Sequence, residues 1–524
     1  MTHGRMRLTQ LLDAARRHHG ERTAIIEGDK RLSYTALHDR AGRCAGLFRS
    51  LGVGEEDRVC ILALNSHRNL EALFGAIWAG GIAAPLNYRL SPAELVGIVR
   101  MVEARVLIVD DEFLPLAETL RAEAGCIEHV VLMSDHAAPA GLINYETAIA
   151  ETAAAPDAMR GGDDVATIFF TGGTTGLPKG VMQTHANLVT SALMYVAHWH
   201  WSRDVVLLGS APMFHVAAAA VIPPVLLVGG TIVMMPKFDP AGYAELIERH
   251  RITFANGVPT MFRMIVDAPG FADRDLTSLV GMNMGGAPMP AGLLHELVAG
   301  FPNARFYNTY GMTEVTSAAT VSDGIAASDL PEDEWPEDDW QWSTIGRAMP
   351  LTDVRVFDAA DRECVPGEVG EIRMRGPLVM KGYWRNPEAT AQTIRDGWLC
   401  SGDLGRADAQ GNFFLVDRLK DMIITGGENV YSVEVETVIR AMAGVADVAV
   451  IGLPDPVWGE IVHAEIVLQP ETRLGEQAVA DHCRAAIAGY KVPRSIAFRT
   501  TPLPVSGAGK VAKAVVRSER TAAA

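Results

Sequence analysis

At 524 residues the chain is longer than one ordinary hydrophobic core supports, so more than one domain is expected. A composition of 48% hydrophobic and 21% charged residues is that of a globular protein and excludes a disordered chain. A formal net charge of −17 excludes general nucleic-acid binding, which needs a basic face, and any anionic ligand must meet local positive groups against an unfavourable overall field. The six cysteines (Cys44, Cys60, Cys126, Cys364, Cys400, Cys483) form no Cys-x-x-Cys pair or zinc pattern and read as reduced thiols of a cytoplasmic protein. Met1 to Glu21 carries charges throughout, so no signal peptide is expected.

Residues 1–160 alternate between helix and strand patterns. Leu8 to His19, Tyr34 to Leu51 and Asn69 to Ala79 have helical apolar spacing, whereas Arg58 to Leu64 and Val106 to Val109 read as strands. Such alternation predicts α/β layers with largely parallel sheets. Thr152 to Asp164 is a small-residue, acidic connection.

A short apolar run, Val165 to Phe170, then leads into Phe-Phe-Thr-Gly-Gly-Thr-Thr-Gly-Leu-Pro-Lys-Gly-Val at 169–181. Three glycines, three threonines and one lysine fall within Thr171–Lys179. Glycines let backbone N–H groups turn toward one spot, and the hydroxyls and the ammonium add donors and charge, which suits a polyphosphate; the alternative is a flexible turn. A Walker A loop is excluded, because Leu-Pro separates Gly176 from Lys179 and no Ser or Thr follows the lysine. A helix is expected from about Gln183, with Thr184 as its cap.

His198-Trp199-His200-Trp201 has no metal spacing and reads as a packing segment. A strand at Val205 to Ala211 ends at Pro212-Met213-Phe214-His215, where His215 is either a satisfied core residue or a site residue. Val216 to Pro236 carries no charge and is long enough to span a bilayer, but Pro223-Pro224 and Gly229-Gly230 divide it into buried helix, turn and strand. No transmembrane span is expected, and peripheral membrane contact stays open. Gly285-Gly286-Ala287-Pro288 and Tyr307-Asn308-Thr309-Tyr310-Gly311-Met312-Thr313-Glu314 follow. Ser328 to Trp342, dense in acids with three tryptophans, reads as a solvated surface insertion, with a lid or partner surface as the alternative. Beyond Gly346, Val354 to Phe357, Gly370 to Arg375 and Gly382-Tyr383-Trp384 suggest an antiparallel sheet or small barrel. Ser401-Gly402-Asp403, Asp417 to Asn429 and Leu503 to Lys510 complete the motifs, within a last hundred or so residues patterned as a small domain.

In this order and spacing, the motifs resemble those of the adenylate-forming superfamily: acyl-CoA synthetases, firefly-type luciferases and peptide-synthetase adenylation domains. The family's loop usually reads Thr-Ser-Gly-Thr-Thr-Gly-x-Pro-Lys-Gly, so Gly172 stands where a serine is common. The resemblance covers nearly the whole chain. It implies a large N-terminal domain of layered α/β subdomains with a β-barrel-like part over 1–417, a hinge at 418–421, and a small mobile α+β domain over 422–524. It implies that Thr171, Gly172, Gly173, Thr174, Thr175, Gly176 and Lys179 hold the phosphates of ATP. Gly286, Ala287 and Pro288 would flank adenine, with Tyr310 stacking on it beside Gly311 and Met312. Thr313 would contact the α-phosphate, Glu314 would bind Mg²⁺, and His215 would sit at the acyl pocket. Asp403 would accept both ribose hydroxyls, and Arg418 would hold ribose and phosphate. Lys420 would be the hinge, Gly426, Gly427 and Glu428 would line the thiol path, and Lys510 would be the catalytic lysine, with Lys513 close by.

The implied activity is ATP-dependent ligation of an apolar carboxylic acid to coenzyme A through an acyl-adenylate. A medium- or long-chain fatty acid stands first and an aryl or cyclic acid next. Loading of a separate carrier protein is the alternative; a luciferase-like oxygenase and a non-catalytic nucleotide sensor rank lower. ATP, Mg²⁺, CoA and the acid are the expected partners, and the resemblance admits a homodimer.

Overall fold

The computed structural model describes residues 5–171, 178–286, 289, 291–329, 344–505 and 511–523. They form two compact units, one of Met1–Val354 with Met374–Leu399 and one of Arg355–Arg373 with Cys400–Ala524. The expected hinge at 418–421 lies inside the second unit.

The first unit holds an eight-stranded sheet in the order Gly382–Tyr383, Lys179–Thr184, Val165–Thr171, Ile82–Pro85, Arg58–Leu62, Val106–Asp110, His129–Met133, Ile143–Asn144. Its middle strands are parallel and apolar on both faces, as crossover helices such as Tyr34–Ser50 and His67–Ala79 require. Its end near the Gly/Thr loop differs from expectation. Lys179–Thr184 is a second strand, paired antiparallel with Val165–Thr171, so the loop closes a hairpin and does not run straight into a helix. The helix begins at His185, where Thr184 and Asn187 form a reciprocal capping box. Gly382–Tyr383, expected in the later antiparallel sheet, is instead an edge strand here, with Tyr383 opposite Val181.

A second sheet of the first unit runs through Arg305–Tyr310, Gly281–Gly285, Phe254–Gly257, Val206–Gly209 and Thr231–Met234 to Thr23–Glu27. One face packs Ala255, Met282, Met284 and Phe306 into a core with Tyr243, Phe262 and Leu297 from the covering helices. Pro223 and Pro224 do not end the uncharged run early. They lie inside helix Val216–Val228, which stops at Gly229 in a left-handed conformation before strand Thr231–Met234. Among the described residues, no helix is long and apolar enough to cross a membrane.

In the second unit, Trp398–Ala407 and Phe413–Arg418 pair antiparallel. A further sheet, Glu428–Val430, Ile423–Thr425, Gly459–Leu468 and Val445–Asp455, is antiparallel with Ser495–Arg499 added parallel to Gly459–Leu468. Helices Ser432–Arg440 and Glu476–Ala486 bury Val435, Ile439 and Val479 in its core, and Val516 of the last helix joins Ala449 and Ile451 in a separate cluster. This is the expected α+β arrangement.

One buried group makes a stability prediction. The Nδ1 of His185 accepts a hydrogen bond from the Leu8 N–H at 3.1 Å, and burial lowers its pKa to about 4. Between that value and the 6.5 of a free imidazole, the unfolded chain binds a proton that the folded chain refuses. Stability therefore rises with pH across this window and is lost as pH falls, by about 3 kcal/mol in all. His185→Asn, whose Oδ1 can still accept from Leu8, should lack this contribution. Denaturant unfolding of both proteins at pH 7 and pH 4 checks it, and equal pH dependence would refute it.

Candidate active site

The two ends of the Gly/Thr loop are fixed by the hairpin, since Thr171 and Lys179 are directly opposed partners. Gly172, Gly173, Thr174, Thr175 and Gly176 lie outside the described residues. The Lys179 ammonium sits over the ring of Tyr383, 4.7 Å from its centroid, and the Tyr383 hydroxyl donates to Glu314 Oε1 at 2.8 Å. Burial and the adjoining Glu314 carboxylate raise the Tyr383 pKa, keeping the phenol protonated as a donor. Lysine and carboxylate, 135 positions apart in the chain, are thus joined through one tyrosine that no sequence motif marks.

Glu314 is only 6% exposed and lies in the single turn Thr313–Val315. The fully buried Gln183 fixes that turn, donating from Nε2 to the Thr313 carbonyl at 3.0 Å while its Oε1 accepts from Thr167 Oγ1. The Met380 N–H holds the Glu314 carbonyl at 2.8 Å. Gly311 is obligatory, because a Cβ there would stand 1.8 Å from the Ser317 carbonyl oxygen. Met312 precedes the turn in extended conformation, and Tyr310 ends its strand 8% exposed. A hard cation takes oxygen ligands, often one carboxylate with phosphate oxygens; the buried Glu314 fits as that carboxylate.

His215 is an exposed N-cap of helix Val216–Val228, its Nδ1 accepting from the Ala217 N–H at 3.2 Å. Gly286 has φ of +79°, and Ala287 and Pro288 lie outside the described residues.

The remaining candidates belong to the second unit. Asp403 and Arg418 are opposed across two strands, with Nε 3.5 Å from Oδ1. The Ser401 hydroxyl donates to the Ile372 carbonyl at 2.5 Å and accepts from the Asp403 N–H at 3.0 Å, so it sets the backbone that carries the carboxylate. Lys420 is exposed in a turn closed by the Asp421 and Met422 N–H groups on the Arg418 carbonyl. Gly426 and Gly427, both at positive φ, make the two-residue turn of a hairpin in which Thr425 faces Glu428. Lys510 lies outside the described residues, flanked by the Val505–Val511 bridge. Lys513 is engaged elsewhere: its ammonium meets Ser432 Oγ and Glu436 Oε1, each at 2.6 Å.

Known proteins resemble the chain over nearly its whole length. The AMP-binding enzyme family model matches residues 11–384, and the AMP-binding enzyme C-terminal domain matches 434–510. A feruloyl-CoA synthase of Amycolatopsis sp is 39% identical over 94% of this chain and 95% of its own. The long-chain-fatty-acid–CoA ligase FadD13 of Mycobacterium tuberculosis is 35% identical over 94% of both. The solved ATP-bound MatB of Rhodopseudomonas palustris superposes with a TM-score of 0.87 at 31% identity, covering 98% of this chain and 99% of its own. With Lys179 and the buried Glu314 joined through Tyr383, the chain belongs to the AMP-binding enzyme family and is an AMP-forming acid–CoA ligase of the adenylate-forming superfamily.

Proposed function

We propose that the protein activates an apolar carboxylic acid in two steps at one site. A carboxylate is a poor acyl donor, because its charge repels nucleophiles and oxide is a bad leaving group. Attack of its oxygen on the α-phosphorus of ATP breaks the bond to the β-phosphate, giving acyl-adenylate and pyrophosphate. The CoA thiol then attacks the carbonyl carbon, its proton is lost, and AMP leaves. Lys179 and the loop N–H groups hold phosphate oxygens, Thr313 orients the α-phosphate, and Asp403 with Arg418 holds the ribose. Lys510 stabilises the charge that accumulates where carboxylate meets phosphate. Glu314 would hold Mg²⁺, which when bound neutralises phosphate charge.

The observation that supports this reading is the Lys179–Tyr383–Glu314 chain, in which the lysine ammonium and the buried carboxylate meet the same tyrosine. Incubation with Mg²⁺, ATP, CoA and an acid should yield AMP and pyrophosphate in equal amounts, and nothing when the acid or Mg²⁺ is withheld. ADP and phosphate as products would overturn the adenylate route. We place the reaction in the cytoplasm, where ATP, CoA and reduced thiols occur together.

For the acid, the relatives include enzymes named for feruloyl and for long-chain fatty acyl groups. A ring acid is favoured over the straight chain by the aromatic cluster of Trp199, Trp201, Phe254 and Tyr307.

A further inference from the structure

Asp403 carries its carboxylate on a short side chain, so the backbone from Ser401 to Asp403 decides where that carboxylate points. The middle residue of this stretch is the freest a chain can offer. Gly402 has φ of +69°, and nothing stands within 4 Å of where a Cβ would be, so conformation and not crowding asks for glycine. A shift of Gly402 carries the Asp403 carboxylate with it. The structure holds this glycine at both ends. Its carbonyl accepts from the Leu419 N–H at 2.9 Å, and its N–H donates to Glu371 Oε1 at 3.1 Å.

Glu371 lies on strand Gly370–Arg375, beside Trp398–Ala407 in the same sheet. Alternation along the strand puts Glu371 and Arg373 on one face, with the fully buried Ile372 and Met374 on the other. Glu371 and Arg373 are each 8% exposed, and neither enters the chemistry described above. Arg373 Nε donates to Glu371 Oε2 at 2.8 Å, its Nη2 stands 2.6 Å from Asp361 Oδ1, and its guanidinium lies over the Phe357 ring, 4.8 Å from the centroid. The Glu371 carboxylate is therefore anchored through one oxygen and presents the other to Gly402. Stability is weak grounds for such a buried pair, because apolar side chains of similar volume often serve as well or better. What an apolar side chain cannot supply here is an acceptor for the Gly402 N–H.

We propose that Glu371, held by Arg373, is a positioning residue that fixes Gly402 and so aims the Asp403 carboxylate at the ribose hydroxyls. The proposal rests on the ribose reading of Asp403 above. Hydrogen bonds to a charged group are the strong ones, so a correctly aimed Asp403 should favour a nucleotide with both hydroxyls by about 10- to 100-fold over one lacking either. A misaimed carboxylate loses this preference while the rest of the nucleotide still binds.

The test measures binding of ATP, 2′-deoxyATP and 3′-deoxyATP in the presence of Mg²⁺ by titration calorimetry. Two double variants are compared, Glu371→Gln/Arg373→Met and Glu371→Met/Arg373→Met. Both lack the ion pair, and they differ in whether an acceptor remains for Gly402. The wild type should bind ATP about 10-fold or more tighter than at least one deoxynucleotide. The Gln/Met variant should keep that ratio within about 3-fold, whereas in the Met/Met variant it should fall to about 1–3, through weaker binding of ATP and nearly unchanged binding of the deoxynucleotide. If the Met/Met variant does not fold, Glu371→Gln alone replaces it. Its single acceptor oxygen is contested by Arg373, so its ratio should lie below that of the Gln/Met variant. A folded Met/Met variant with the wild-type ratio would overturn the proposal, as would equal loss in both double variants, or, where the single variant stands in, a ratio no lower than that of the Gln/Met variant. Asp403→Ala tests the reading beneath it. A wild-type ratio near 1, or one that Asp403→Ala leaves unchanged, would overturn the ribose reading and the proposal with it. That result is distinct from a preference lost in Asp403→Ala but indifferent to Glu371.

Discussion

Lys510→Ala is expected to slow adenylate formation by about 10²–10³-fold while leaving thioester formation from supplied acyl-adenylate close to wild type. The asymmetry follows from where charge appears. In the first step a carboxylate closes on a phosphate, and a single cation aimed at the developing negative charge lowers that barrier. In the second step a neutral carbonyl is attacked by a thiol, and the same cation has little to stabilise. The nearby Lys513 offers the control, because its ammonium is already committed to Ser432 and Glu436. Burial raises the Glu436 pKa and Lys513 opposes that, so Lys513→Ala strands a buried carboxylate. Its expected effect is loss of stability, of about 3–5 kcal/mol by analogy with broken buried pairs, and not a selective loss of one half-reaction. Single-turnover rates for each half-reaction, with thermal unfolding of both variants, separate the two lysines. Selective loss of adenylation in Lys513→Ala and not in Lys510→Ala would reverse the assignment.

Lys420→Pro is expected to leave adenylate formation largely intact and to lower transfer to CoA by roughly 10²-fold, the scale of effect that misplacement of reacting groups produces. One site must present Lys510 for the first step, then clear it and admit a long thiol arm. Rotation about a few backbone dihedrals does this, and proline fixes φ near roughly −65°. The structure adds a contact that such a rotation must break. The Asp417 carboxylate accepts from the Arg418 N–H, on the near side of Lys420, and from the Ser432 N–H and hydroxyl beyond it. Ser432 in turn accepts from Lys513. A pivot at Lys420 would therefore have to release Asp417 from Ser432, which the structure joins within the second unit. Equal slowing of both half-reactions, or of neither, would argue against a pivot at Lys420.

The local parts of this protein were legible in its amino-acid sequence because local rules govern them. The Gly/Thr run between Thr171 and Lys179 suits a polyphosphate by backbone freedom and charge, with a flexible turn as the alternative, and the family resemblance favours the former. Thr184 reads as a helix cap, and the capping box with Asn187 is the physical realisation of that reading. Strand runs such as Arg58–Leu62 and Val106–Asp110 follow from apolar continuity. The order of the motifs carried the family.

What the tertiary structure alone decided were relations between residues far apart in the chain. Lys179–Thr184 became a strand because Val165–Thr171 lay beside it, where sequence signals pointed only to the helix that follows. Gly382–Tyr383 joined that hairpin, and this brought Tyr383 to Glu314 across 69 positions. Asn256, Asn283 and Tyr307 come from three separate crossovers and carry no shared motif. Their alignment is set by strand register, which the packing of Ala255, Met282 and Phe306 on the opposite face fixes. Backbone conformation and charge type are properties of short segments, so the sequence announces them directly; which distant side chains meet depends on how whole sheets and helices pack, and no local pattern encodes it.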